Sequence, residues 1–134
     1  MASFAKFQPF VEALAEKVHN LGSDQLMIAL TNSAPAATNG QLSQITEVAY
    51  TYCSSRVVTV TSSSQSSGTY SLVLQDLVLT ASGGSVGPFR YAVLYNNTAT
   101  NKELIGYWDY GSSITLLTGE TLTLDFSATT VTLV

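Results

Sequence analysis

Apolar residues recur at helical spacing only near the start of the chain. Phe7, Phe10, Val11, Leu14, Val18 and Leu21 fall on one face of a 3.6-residue period, with polar residues between them. Pro9 stands where a first-turn proline is tolerated. Glu12 lies toward the N-terminal end and Lys17 toward the C-terminal end, and Gly22 offers a stop. This pattern predicts one amphipathic helix over residues 5–20.

Beyond Gly22 the period changes to that of strands. Gln25–Leu30 reads as a buried strand, and Arg56–Thr61 is rich in β-branched residues. Thr69–Leu74 continues into Leu77–Thr80, with a bend at Asp76. Phe89–Tyr95, then Leu104–Tyr110 ended by Gly111, then a short strand at Ile114 and Leu116 follow. Leu122, Leu124 and Phe126 alternate with Thr121, Thr123 and Asp125, and Val131 and Leu133 repeat that alternation. Between these runs lie a long irregular loop at 32–44, punctuated by Pro35 and Asn39-Gly40, and a polar separator at 62–68. Gly83–Pro88 reads as incompatible with regular structure, and Thr118-Gly119 as a turn.

The sum is one helix followed by about eight short strands without intervening helices. That predicts a mostly β protein, an antiparallel β-sandwich or a small barrel, two outcomes the pattern does not separate. The 134 residues read as a single domain, with the helix at 5–20 and the β part at 25–134.

Composition sharpens this. Only 10% of residues are charged, against about 25% in typical domains, and the deficit is filled by Ser, Thr and Asn. Such a surface has little side-chain entropy to lose on being covered, which suits a chain packed against partners. The net charge is −4, and Lys6, Lys17, Arg56, Arg90 and Lys102 are scattered. No basic stripe follows phosphates, so neither nucleic-acid nor membrane-surface binding is expected. Glu12 and Glu16 interrupt any apolar run near the N-terminus, so no signal peptide is expected. A lone Cys53 suits folding in a reducing cytoplasm.

Candidate chemistry is sparse. Gly83-Gly84-Ser85-Val86-Gly87 matches G-x-S-x-G, but a strand follows where a nucleophile elbow needs a helix. His19, the sole histidine, precedes Ser85 instead of following it, so the hydrolase order fails. His19 reads as a packing or capping residue and Cys53 as an inert thiol. The carboxylates lack calcium-loop spacing, and no dinucleotide or P-loop motif is present. No cofactor, no metal site and no catalytic residue is expected. Tyr91, Tyr95, Tyr107, Trp108 and Tyr110 cluster on two neighbouring strands, either as core and cross-strand pairs or as an exposed aromatic face that stacks on sugars or serves as an interface.

Three stretches together resemble a family of small virion structural proteins of tailed bacteriophages. They are Gly83–Asn96, Leu104–Ser112 and Thr118–Thr121, with support from Val18–Asp24 and Ala29–Asn32. The likeness runs over nearly the whole chain and is weakest at 45–68, where this sequence has Tyr50, Tyr52 and Cys53. It implies a non-enzymatic head decoration (cement) protein in the virion, assembled in the bacterial host cytoplasm. Such a protein binds the major capsid protein and copies of itself, as a dimer or trimer. The alternative is a tail- or fibre-associated module that binds host glycans. Interface candidates are Phe7, Phe10 and Leu14 on the helix and Pro35 and Asn39 on the loop, with Tyr91, Tyr95, Tyr107, Trp108 and Tyr110 on the strands.

Overall fold

The run Tyr91-Ala-Val-Leu-Tyr95 is apolar at every position, which is how a strand reads when both its faces are covered. In the computed structural model, which describes residues 3–126 and 130–133, this run lies at the centre of the protein. It belongs to β7 (Val86–Asn96), the middle strand of a five-stranded antiparallel sheet. The order is β1 (Phe4–Lys6), β8 (Leu104–Leu116), β7, β2 (Leu26–Thr31), β3 (Val57–Val58). A second sheet has the order β10 (Val131–Leu133), β5 (Thr69–Leu74), β4 (Val60–Ser66). A third pairs β6 (Leu77–Thr80) with β9 (Thr121–Leu124). One helix, α1 (Gln8–Ala15), precedes the strands of the β part.

The architecture is a small β-sandwich. The register sets which residues face the other sheets: Ala92 opposes Trp108 and Leu30, and Leu94 opposes Gly106 and Ile28. These join Leu72, Leu74, Leu79, Leu124, Phe126 and Val131 in one buried cluster drawn from all three sheets. Trp108 is its largest member, 1% exposed, with Phe4 and Phe126 each 4.9 Å away between ring centroids. The opposite face of β7 and β8 carries Tyr91, Val93 and Tyr107, and Phe7 closes it with its ring 5.2 Å from Tyr107.

Several local readings are corrected. The helix covers Gln8–Ala15, not 5–20. Phe4–Lys6 instead form a strand on β8, where Gly106 leaves room for the Phe4 ring. The helix stops at a Schellman turn: Val18 N–H donates to Ala13 O, Lys17 N–H to Leu14 O, and Lys17 takes φ 70° where glycine is usual. Gly22 therefore has no part in ending it. The polar separator 62–68 is mostly strand: β4 runs through Ser66, and Ser67 and Gly68, both with positive φ, close a two-residue hairpin onto β5.

Gly83–Pro88 is not wholly irregular, since β7 begins at Val86 and passes through a cis Gly87-Pro88 bond. Gly111 does not end its strand: β8 continues to Leu116 by way of a positive φ at that glycine. Thr69–Leu74 and Leu77–Thr80 are strands as expected, but they belong to different sheets instead of forming one run bent at Asp76.

Candidate interaction surface

The ten sequence-derived interface positions divide by burial. Phe7, Phe10, Tyr91, Tyr95 and Trp108 are buried, none more than 8% exposed. They hold the protein's own core and offer no free surface. Tyr107 and Tyr110 are half-buried, and Tyr107 spends its ring on Phe7 and Tyr91. The aromatic cluster is thus core and cross-strand packing, and the exposed-platform reading loses its premise. Burial, with Asp125 nearby, pushes the Tyr110 phenol up to about 12.

Leu14, Pro35 and Asn39 are half-buried. Asn39 acts within its own loop, accepting from Ala36 N–H at 2.8 Å through Oδ1. The 32–44 loop is tied down along its length: Ser113 Oγ donates to Asn32 Oδ1, Gln8 N–H to Ala37 O and Leu104 N–H to Gly40 O, and Leu42 N–H donates to Lys102 O. It is a fixed strap, not a free arm.

The glycine-rich motif also has a packing explanation. The Tyr52 ring lies against Gly84, where a Cβ would collide with it, and Gly83 needs φ +81°. Ser85 is exposed. His19 is elsewhere engaged, so the two never meet as nucleophile and base.

His19 belongs to a buried polar cluster. Asn96, fully buried, donates through Nδ2 to His19 Nδ1 at 3.0 Å and to Asp24 Oδ2 at 2.7 Å. Its Oδ1 accepts from Thr98 N–H and Ala99 N–H, so every hydrogen-bonding position of the amide is filled. Because His19 Nδ1 accepts, the ring proton sits on Nε2, which is buried without a partner. Desolvation lowers the His19 pKa from its ordinary 6.5, against the opposing pull of Glu103 and Asp24. Phe10 packs on the ring at 5.2 Å. The cluster joins the segment after α1 to the end of β7, which is an architectural task.

A second polar group replaces missing strand pairing along β2. The Tyr50 hydroxyl accepts from Leu30 N–H at 2.9 Å and donates to Glu47 at 2.7 Å. Arg56 stacks 3.6 Å over the Tyr50 ring and donates to Ile28 O. Burial raises the Tyr50 pKa above its ordinary value, and burial likewise raises that of Cys53.

Apart from single exposed side chains such as Val11, Val78 and Leu117, the three-stranded sheet is open to partners. No residue of β4, β5 or β10 is charged, and from Val57 to Gln75 the chain carries no charged side chain at all. Strand alternation turns Tyr70, Leu72, Leu74 and Val131 inward and leaves Ser62, Ser64, Ser66, Thr69, Ser71, Val73 and Thr132 on the outer face. That face is an uncharged platform, lined by hydroxyls around the half-buried Val73. Beside it, Ser63 and Tyr70, hydrogen-bonded at 2.6 Å, border a cleft of about 430 Å³ reaching back to Leu14, His19 and Leu21. Sequence reasoning missed this surface because it sought aromatic anchors; the visible signal was the charge-free stretch itself.

Among the described residues no group of three or more His, Cys, Asp or Glu side chains is placed to hold a metal ion, and no helix is long and apolar enough to cross a membrane. No family model, curated protein or solved structure matches the chain.

Proposed function

We propose that the chain is a structural protein of a tailed-bacteriophage virion, a head decoration protein that binds the outer surface of the major capsid shell and copies of itself. The observation that carries this reading is the uncharged, hydroxyl-lined face of the β10-β5-β4 sheet. Docking such a face desolvates no ions, and short Ser and Thr side chains lose little rotamer freedom when covered. A rigid sandwich supplies that face preformed, so little ordering is required on binding. The family resemblance supplies the head as the place of action, and the protein would be assembled onto it in the bacterial cytoplasm.

The test is the copy number of the chain in purified virions, by quantitative mass spectrometry against the major capsid protein. A ratio that is a sizeable fraction of the capsid protein is expected. A ratio fitting only a few tail rings or fibres moves the protein to the tail, and absence from DNA-filled heads overturns the proposal.

A further inference from the structure

Among the described residues six strands lie at sheet edges: β1, β3, β10, β4, β6 and β9. Five of them have four residues or fewer; β4 has seven. Short edges, prolines and inward or flanking lysines are how soluble proteins keep sheets from pairing edge to edge. The β4 edge uses none of these; its one such device is a bulge at Thr61, ahead of the regular run Ser62–Ser66. Its sequence, Val-Thr-Ser-Ser-Ser-Gln-Ser, holds no proline and no charge, and the strand is largely exposed. Among the described residues no backbone hydrogen bond reaches Thr61–Ser66 from any strand other than β5.

We propose that two copies of the chain pair antiparallel through β4, joining their three-stranded sheets into one six-stranded sheet about a two-fold axis at Ser64. This deepens the decoration reading by naming the self-contact, and rests on it only for its biological setting. The register follows from the hairpin. Ser66 and Thr69 flank the two-residue turn, so Ser66, Ser64 and Ser62 bond toward β5. Ser63 and Gln65 then turn N–H and C=O to the open side. A two-fold axis at Ser64 places Ser63 opposite Gln65 of the second copy and Gln65 opposite its Ser63, so that both exchange paired hydrogen bonds. Ser64 meets Ser64 in the intervening close position.

A second copy is the occupant that the chemistry favours. A chain of net charge −4 repels itself wherever its carboxylates meet, and the Val57–Gln75 stretch is free of them. Small hydroxyls at the contact positions other than Gln65 allow close approach without a charge conflict. A two-fold contact also closes, so it ends at a dimer instead of a fibre.

The test uses the full chain with Cys53→Ser as background. Light scattering should give twice 14.2 kDa for the wild type at micromolar concentration. Ser64→Lys puts two ammonium groups face to face at the axis and should weaken the dimer at least tenfold. Mixing Ser64→Lys with Ser64→Glu should restore it. Ser64→Cys should form an intermolecular disulfide on oxidation, because close antiparallel pairs sit about 4.5 Å apart at Cα, within the disulfide range. Ser66→Cys, on the same face but roughly 13 Å from its symmetry mate, should not. Native Trp108 emission in each variant checks the fold.

A monomeric wild type, an unaffected Ser64→Lys, or equal cross-linking at 64 and 66 overturns the pairing. Co-sedimentation with purified capsid shells separates the two proposals. A monomer that binds shells refutes the pairing alone, and a dimer that ignores shells refutes the decoration role alone.

Discussion

Gly106 is the position where the docking of the N-terminal strand can be tested with one methyl group. It lies in β8, opposite Lys6 of β1 and Leu94 of β7. A Cβ there would run into the Phe4 ring and come within 2.7 Å of the Ala5 carbonyl oxygen. The ring cannot simply swing clear, because Trp108 packs beside it at 4.9 Å. The carbonyl belongs to strand backbone, so β1 itself must shift. Overpacking of this kind costs about 1–3 kcal/mol. A ceiling exists, since β1 can detach, giving up three ladder positions at about 1 kcal/mol each and the packing of Phe4. The lost flexibility of glycine in the unfolded chain returns about 0.4–1 kcal/mol.

Gly106→Ala should therefore lower stability by about 0.5–2.5 kcal/mol net, or roughly 2–10 °C in Tm for a domain of this size. Trp108 is the sole tryptophan and is buried against Phe4, so its emission during a urea melt reports the event directly. In a Phe4→Ala background the ring collision disappears while the Ala5 carbonyl remains. Gly106→Ala should then cost less, by about 0.5 kcal/mol or more, but not nothing. A Gly106→Ala protein within about 0.5 kcal/mol of wild type would refute the argument that this glycine is kept for β1.

Asn96→Ala should cost about 2–4 kcal/mol in a urea melt, because it leaves His19 Nδ1 and the Ala99 N–H unpaired in a buried site and removes one of the donors to Asp24; an unchanged midpoint would contradict the cluster's structural role. The His19 pKa is lowered by folding, so the unfolded chain takes up its proton first. Its contribution to stability is complete above the ordinary value of 6.5 and is lost as pH falls below it. The difference in stability between wild type and His19→Gln, followed by melts from pH 8 to pH 5, should shrink on acidification, and a constant difference would count against the assignment. Trp108→Ala should lose about 3–5 kcal/mol and much of its cooperative melt, whereas a surface sugar platform would tolerate that change with its stability intact.

Strand location was legible wherever side chains carried it. Thr69–Leu74, Leu77–Thr80 and Phe89–Tyr95 all read as strands from their residue types and lie in strands. Failures came where backbone conformation departed from the residue types that usually mark it. A lysine at φ 70° ended the helix five residues before the glycine that seemed to do so. A serine run with low strand propensity became β4 because β5 offers it a ladder and the Ser67-Gly68 turn fixes the register. Glycines at 87 and 111 looked like breaks but are bends within long strands.

The aromatic residues were located correctly, but their pattern left core packing and an exposed face both open. Their placement depends on what covers each sheet face, and one strand's alternation says nothing about that. Edge status is still less visible, because it depends on which strands pair over long range. The charge-free stretch from Val57 to Gln75 was in plain view, but its meaning depends on β4 ending a sheet.

The division of labour between the sheets follows from where charge is tolerated. The five-stranded sheet carries the Arg90–Asp109 ion pair at 2.8 Å, exposed on its surface, and Arg56 over Tyr50 at its edge. The smaller sheet carries none, yet it is no better buried. Its serines and threonines satisfy solvent adequately but do nothing to repel a neighbouring strand, as a lysine on β4 would do at little cost to the fold. The buried clusters need no help from this sheet's outer face, since its inner residues Leu72, Leu74 and Val131 supply the core contact. The outer face and the β4 edge are thus the part of the molecule whose composition folding leaves free. That this freedom is spent on uniform neutrality, in a chain whose carboxylates outnumber its cations nine to five, is why we place the self-contact there and not on the aromatic strands.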